Sequence, residues 1–269
     1  VGGNRGARYA GLREDGSRRE RGEEDEAAHR VGTGMQRRAV ARHGRMEPDR
    51  ILFIDGEALV IDKPAGLPVD PPRDGGLSLD NHMEGLRFGF HRWPVPVHRL
   101  DRDTSGCLLL ARNPKAGAKF QRAFEAGAVE KVYIAVLDGV PEGEGGEIDL
   151  PLVKVSSAEA GWRMIVRKDG KASRTAWRVL RVLDGQALVE FRPATGRTHQ
   201  IRVHAATGLG VAVVGDPVYG TAGKQGMLLH AARLVLPRPG KTAIKADAPL
   251  PARFGRFAVV EPGEEPVAG

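Results

Sequence analysis

A nine-residue string, His98-Arg-Leu-Asp-Arg-Asp-Thr-Ser-Gly106, runs straight into the apolar stretch Cys107–Ala111. An unbroken apolar run of strand length reads as a strand covered on both faces. The polar string must then occupy the loop that feeds it, where side chains can converge on a backbone held by the sheet. Arg99, Asp101, Arg102 and Asp103 are close enough in sequence to set one another's ionisation. A surface turn closed by ion pairs would account for any one of these residues; the string as a whole points to a site.

The chain has 269 residues, and 41% of them are hydrophobic, so there is material for one large domain or two small ones with a true core. No membrane span is expected, because Ile51–Ile61 is broken by Asp55, Gly56 and Glu57, and Val211–Val214 is too short. The lone Cys107 cannot form an internal disulfide and no charged-then-apolar leader opens the sequence, which together predict a cytoplasmic protein. A formal charge of +7 favours a polyanionic partner, unless the excess belongs to a terminal tail.

Residues 1–46 are rich in Gly, Arg and Glu and nearly devoid of large apolar side chains, so burial cannot offset the entropy of ordering them. They read as a disordered extension, with Met46 the expected start of the protein proper; an arginine-rich arm that folds on RNA is the functional alternative. Residues 47–260 are expected to form one catalytic domain, and 261–269 a flexible tail. Within the domain, Ile51–Ile54 and Ala58–Ile61 read as a strand pair around Asp55-Gly56. Two prolines and a glycine in Asp62–Pro68 predict a rigid loop with Lys63 at its edge, and Leu77–Phe88 a short helix. Asn113-Pro114 is a helix start by its own chemistry, and Gly127 an end. Lys131–Leu137 alternates as a strand with Tyr133 and Ala135 on one face. Trp162–Arg167, Thr175–Leu183 and Ala187–Phe191 read as an antiparallel meander whose loops carry Arg167, Lys168, Lys171 and Arg174. Thr195 or Thr198 is placed to cap a short helix ending near Gly208, and Met227–Leu236 is a buried strand. After Pro237 the chain gives no firm pattern.

Four of these stretches together resemble the RluA-type pseudouridine synthases, over roughly residues 50–255. Asp62-Lys63-Pro64-Ala65-Gly66-Leu67 is similar to that family's first motif and His98–Gly106 to its catalytic motif. Lys131-Val132-Tyr133 resembles its tyrosine motif, and Gly196–His204 with Gly215-Asp216 and Tyr219-Gly220 its third. The resemblance implies an α+β fold: a single catalytic domain around a mixed, largely antiparallel sheet with a central cleft. It implies an enzyme that isomerises a uridine of ribosomal or transfer RNA to pseudouridine, with no metal or other cofactor; a monomer is the default expectation. It makes Asp101 the catalytic carboxylate, Tyr133 the aromatic partner of the target base, Arg197 the cation paired with Asp101, and Arg99 the side chain that fills the stack when the base flips out. Arg102, Thr104, His199, Gln200 and Arg202 complete the implied substrate contacts. These roles suit the chemistry: a desolvated carboxylate stays ionised beside a guanidinium, and a stacked base must be extruded before it can react. Asp70 stands where the family commonly has His, Pro237-Arg238-Pro239 replaces a usual His-Pro, and no separate basic RNA-binding domain is visible before Ile51.

Two rivals remain open on the residues alone. His98, Asp101, Asp103, His199 and His204 are chemically able to hold a metal in a hydrolase, although His199 and His204 do not share a helix face and four arginines crowd them. An RNA-binding protein without catalysis would not require the Asp101 carboxylate. His98 reads as a structural histidine, and His199 is left undecided.

Overall fold

Alternation along one strand builds the centre of the domain. In the strand Glu130–Leu137, Val132, Ile134 and Val136 face one side, while Tyr133, Ala135 and Leu137 face the other. In this computed structural model, which describes residues 47–72, 75–157 and 161–258, that strand is the fifth of twelve. The expected extension at 1–46 and tail at 261–269 lie outside the described residues.

The strands are β1 (Ile51–Ile54), β2 (Ala58–Lys63), β3 (Val95–Pro96), β4 (Ser105–Ala111), β5 (Glu130–Leu137) and β6 (Gly145–Asp149), then β7 (Leu152–Ser157) and β8 (Gly161–Val166). β9 (Arg174–Leu183), β10 (Gln186–Pro193), β11 (Leu229–Arg238) and β12 (Lys241–Asp247) follow, with helices α1 (Pro114–Glu125) and α2 (Gln200–Val203) between them. Among the described residues ten strands form one sheet in the order β1-β2-β4-β11-β5-β10-β9-β6, with β3 also on β4 and β12 also on β11. Every pairing is antiparallel except β4 with β11, so the sheet is mixed and largely antiparallel, as expected for an α+β domain.

The polar string does end in a fully buried strand, and Gly106 shows why a glycine closes it. Its φ is +106°, and a Cβ there would lie 2.2 Å from the Ala231 carbonyl oxygen. Only glycine lets β11 pair in parallel with β4 at Ser105 and Gly106, directly behind the loop. Helix α1 begins as its sequence dictates: Asn113 accepts a hydrogen bond from the Ala116 N–H, and Phe120 and Ala116 are buried against β4 and its neighbours. On the opposite face, Phe254 and Phe257 of a 3-10 turn at Ala252–Phe257 cover Ile134, Val136 and Leu188.

Several local expectations give way to tertiary contacts. Leu77–Phe88 forms only a 3-10 turn at Leu79–His82, capped by Ser78, because Gly85 and Gly89 weaken a longer helix. β8 does not join the meander; it pairs with β7 in a separate two-stranded sheet, leaving β9 and β10 as the hairpin on the main one. Lys63 ends β2 at the edge of the proline loop, and its side chain is fully buried. The indistinct stretch after Pro237 holds β12, paired along β11. Among the described residues no helix is long and apolar enough to cross a membrane.

Candidate active site

The loop before β4, the face of β5 bearing Tyr133, and the turn into α2 converge on a cleft of about 710 Å³. Asp101 is a quarter exposed at its floor. The Arg202 guanidinium, all but buried, donates through Nη1 to Asp101 Oδ2 at 3.2 Å. The same guanidinium is gripped from behind by the fully buried Asp216: Nε donates to Oδ2 and Nη2 to Oδ1, each at 2.7 Å. Such a two-pronged grip fixes the plane of the group and the direction of its remaining N–H. Asp216 Oδ1 also accepts from the Val218 and Tyr219 backbone N–H groups, and these bonds and the guanidinium hold its carboxyl below the usual range against the opposing effect of burial.

This corrects the expected pairing of Asp101 with Arg197. The Arg197 side chain is exposed at the cleft rim, where its Nε donates to the Ala172 carbonyl at 3.1 Å. Arg197 lies on the exposed turn before α2, while Arg202 lies within that buried helix and reaches Asp101. Neither Thr195 nor Thr198 caps α2. Gln200 does related work instead: its Oε1 accepts from the Arg197 N–H and the Thr195 hydroxyl, and its Nε2 donates to Arg174 O and Thr175 Oγ1. Those four bonds exhaust the amide, so Gln200 shapes the turn instead of contacting substrate.

His199 occupies the residue before α2 in left-handed backbone, φ +53°. Its Nδ1 lies 2.9 Å from the Tyr219 hydroxyl, which itself accepts from the Met164 N–H. The arrangement that leaves no donor idle sends the tyrosine hydrogen to Nδ1 and assigns the imidazole proton to Nε2. That Nε2 is 3.9 Å from Asp101 Oδ2, too far for a direct bond and open to a substrate atom between them. Burial lowers the His199 pKa, so the ring is neutral near pH 7.

Tyr133 and Thr104 line the same cleft, and burial raises the Tyr133 pKa, keeping it a neutral phenol. Arg99 stands at the rim, largely exposed and paired with Asp70 at 3.0 Å. A surface pair of this kind is worth at most about 1 kcal/mol, so Arg99 is free to leave it. Arg102 is not brought to the cleft lining; it donates twice to its neighbour Asp103 at 2.9 Å. His98 is structural: its Nε2 accepts from the Leu109 N–H, its ring stacks on Phe124, and burial pulls its pKa down to about 3. His204 is likewise engaged, with Thr175, Ser173 and the Leu150 carbonyl. The rival ligand set is therefore not assembled, and among the described residues no three His, Cys, Asp or Glu side chains are grouped to hold a metal.

Two supports were not foreseen. Lys63 Nζ reaches the carbonyls of Pro64, Leu67 and Arg102 at 2.8–3.0 Å, tying the rigid proline loop to the catalytic loop. Burial pulls its pKa to about 7, yet three acceptors match the three donors of the ammonium form. Asp216 stood out only as part of the Gly215-Asp216 motif, with no role of its own.

A family profile described as RNA pseudouridylate synthase matches residues 57–207. The chain is 57% identical over 208 residues to an uncharacterized RNA pseudouridine synthase of Zymomonas mobilis, covering 76% of this chain and 95% of that protein. It is 34% identical to a ribosomal large subunit pseudouridine synthase C of Rickettsia conorii, over 79% and 71% of the two chains. Among solved structures, human RNA pseudouridylate synthase domain containing 1 superposes with a TM-score of 0.63 at 30% identity, over 76% of this chain and 86% of that one. With the sheet, the buried catalytic-loop strand and the paired Asp101 already in place, these likenesses make the chain a member of the RNA pseudouridine synthase family, of the RluA type.

Proposed function

We propose that this enzyme isomerises a specific uridine of ribosomal or transfer RNA, with Asp101 as the catalytic carboxylate and the target nucleotide flipped out of its stack. The reading rests on one observation: Asp101 lies on the floor of a nucleotide-sized cleft against Arg202, whose own orientation is set by Asp216. A volume of about 710 Å³ falls in the usual range for small-ligand pockets, roughly 300–1,000 Å³.

Pseudouridine formation breaks the bond from uracil N1 to ribose C1′ and makes one from C5 to C1′; C5 loses a proton and N1 gains one. The carboxylate serves either as nucleophile or as base at the ribose, and both routes need it charged next to a fixed cation. Tyr133 offers a neutral ring beside the base, His199 Nε2–H a donor, and Arg99 a side chain to take the vacated place in the RNA stack, which offsets part of the few kcal/mol that extrusion costs. Arg197, at the rim, is suited to a phosphate. The bacterial relatives named for the ribosomal large subunit support a cytoplasmic setting and a ribosomal target.

Asp101→Asn is expected to abolish pseudouridine formation while leaving RNA affinity within a few fold. Product from that variant would end the assignment. Mapping pseudouridines in RNA from cells with and without the gene identifies the target.

A further inference from the structure

The β7–β8 hairpin stands apart from the main sheet, and its two halves differ in what they touch. Leu152, Met164 and Val166 share one face of it and pack on Val203 and Tyr219, which anchors the hairpin to α2. Farther out on that same face lie Lys154 and Trp162. Trp162 is 46% exposed, with its ring centroid 4.9 Å from that of His199 and the Lys154 ammonium 4.7 Å from its centre. Burial of the apolar surface this ring leaves in water would be favourable on contact with a partner.

Its place is what matters. His199 touches Trp162 on one side and approaches Asp101 to 3.9 Å on the other. His199 thus links Trp162 to the carboxylate, which sets this half-exposed ring beside the cleft. We propose that Trp162 is a stacking platform for the nucleotide adjacent to the target uridine, the base taking the ring face that the Lys154 ammonium now covers and the ammonium moving to the phosphate beside it. Every base has a π-face, so this grip holds the strand whatever its neighbouring sequence. The inference rests on the RNA substrate proposed above and extends it to a second nucleotide.

The test uses the full-length protein and transcribed ribosomal and transfer RNAs carrying tritium at uridine C5, with release of the label as the readout. Trp162→Ala is expected to raise KM about tenfold with kcat within twofold, and Trp162→Phe to restore most of the loss. In the Asp101→Asn background, Trp162→Ala should weaken RNA binding by a similar factor, while Trp93→Ala, at an exposed tryptophan outside the cleft lining and bonded to Glu84, leaves it unchanged. A fall in kcat at constant KM would mean that Trp162 only positions His199 and would overturn the platform. So would an unchanged KM, an equal loss in Trp93→Ala, or no rescue by Phe. If the unmodified enzyme releases no label from any of these RNAs, the functional reading itself falls; if it does while Trp162→Ala matches it, only the platform does.

Discussion

At the scale of single residues, the site divides into Asp101, the carboxylate proposed to meet substrate, and Arg202, a cation held rigid by another carboxylate. Arg202→Ala should therefore cost activity mainly in kcat, by a hundredfold or more if the cation is worth the ~2.7–4 kcal/mol typical of such stabilising groups, whereas Arg197→Ala should raise KM. Steady-state kinetics on the target RNA separates the two, and the reverse pattern would restore Arg197 to the pairing role. Asp216→Ala leaves the buried Arg202 with Asp101 alone, and breaking a buried pair in this way costs about 3–5 kcal/mol. Urea denaturation measures that loss. Asp101 was legible because carboxylates, arginines and a turn crowd one short string. The choice between Arg197 and Arg202 was not: five residues apart in one polar segment, they differ in that Arg202 falls within the buried helix α2 while Arg197 stays on the exposed turn before it.

Elements explain what the residues could not announce. β4, β5, β9, β10 and α1 were readable from apolar runs, alternation and the Asn-Pro start, since each carries its own pattern. β6 and β12 were not, because Gly145–Asp149 and Lys241–Asp247 are polar strands whose place comes from partners far away in sequence. The pairing of β8 was equally hidden, as alternation says that a strand exists and nothing about its neighbour. Lys63 belongs to this scale, being a bolt between two loops. Lys63→Met keeps the length of the side chain but removes the donor from the part-buried Pro64 and Leu67 carbonyls, while the Arg102 carbonyl keeps the Gly66 N–H, with an expected loss of about 2 kcal/mol or more by thermal or urea unfolding. Little change there would show that the loops hold without it.

For the molecule as a whole, two titrations are expected. Burial holds His98 near pKa 3 and His230 near 4, while an unfolded histidine titrates near 6.5. The unfolded chain then binds protons that the native one refuses, so stability present above pH 6.5 is lost as pH falls toward 4. Urea midpoints at pH 7 and 5 should show the drop, with a shallower slope in His230→Asn; equal midpoints would contradict it. RNA affinity should fall steeply with added salt, and Arg122→Ala, at the end of α1 that reaches the cleft, should reduce the slope more than Lys115→Ala at its far end. The parallel join of β4 to β11 has a last implication, for synthesis. Ser105 and His230, bonded side by side behind the catalytic loop, are 125 positions apart. A nascent chain makes the Asp101 loop early, yet the strand that backs it follows only 125 residues later, so truncation between the two is expected to leave that loop without its wall and the protein inactive.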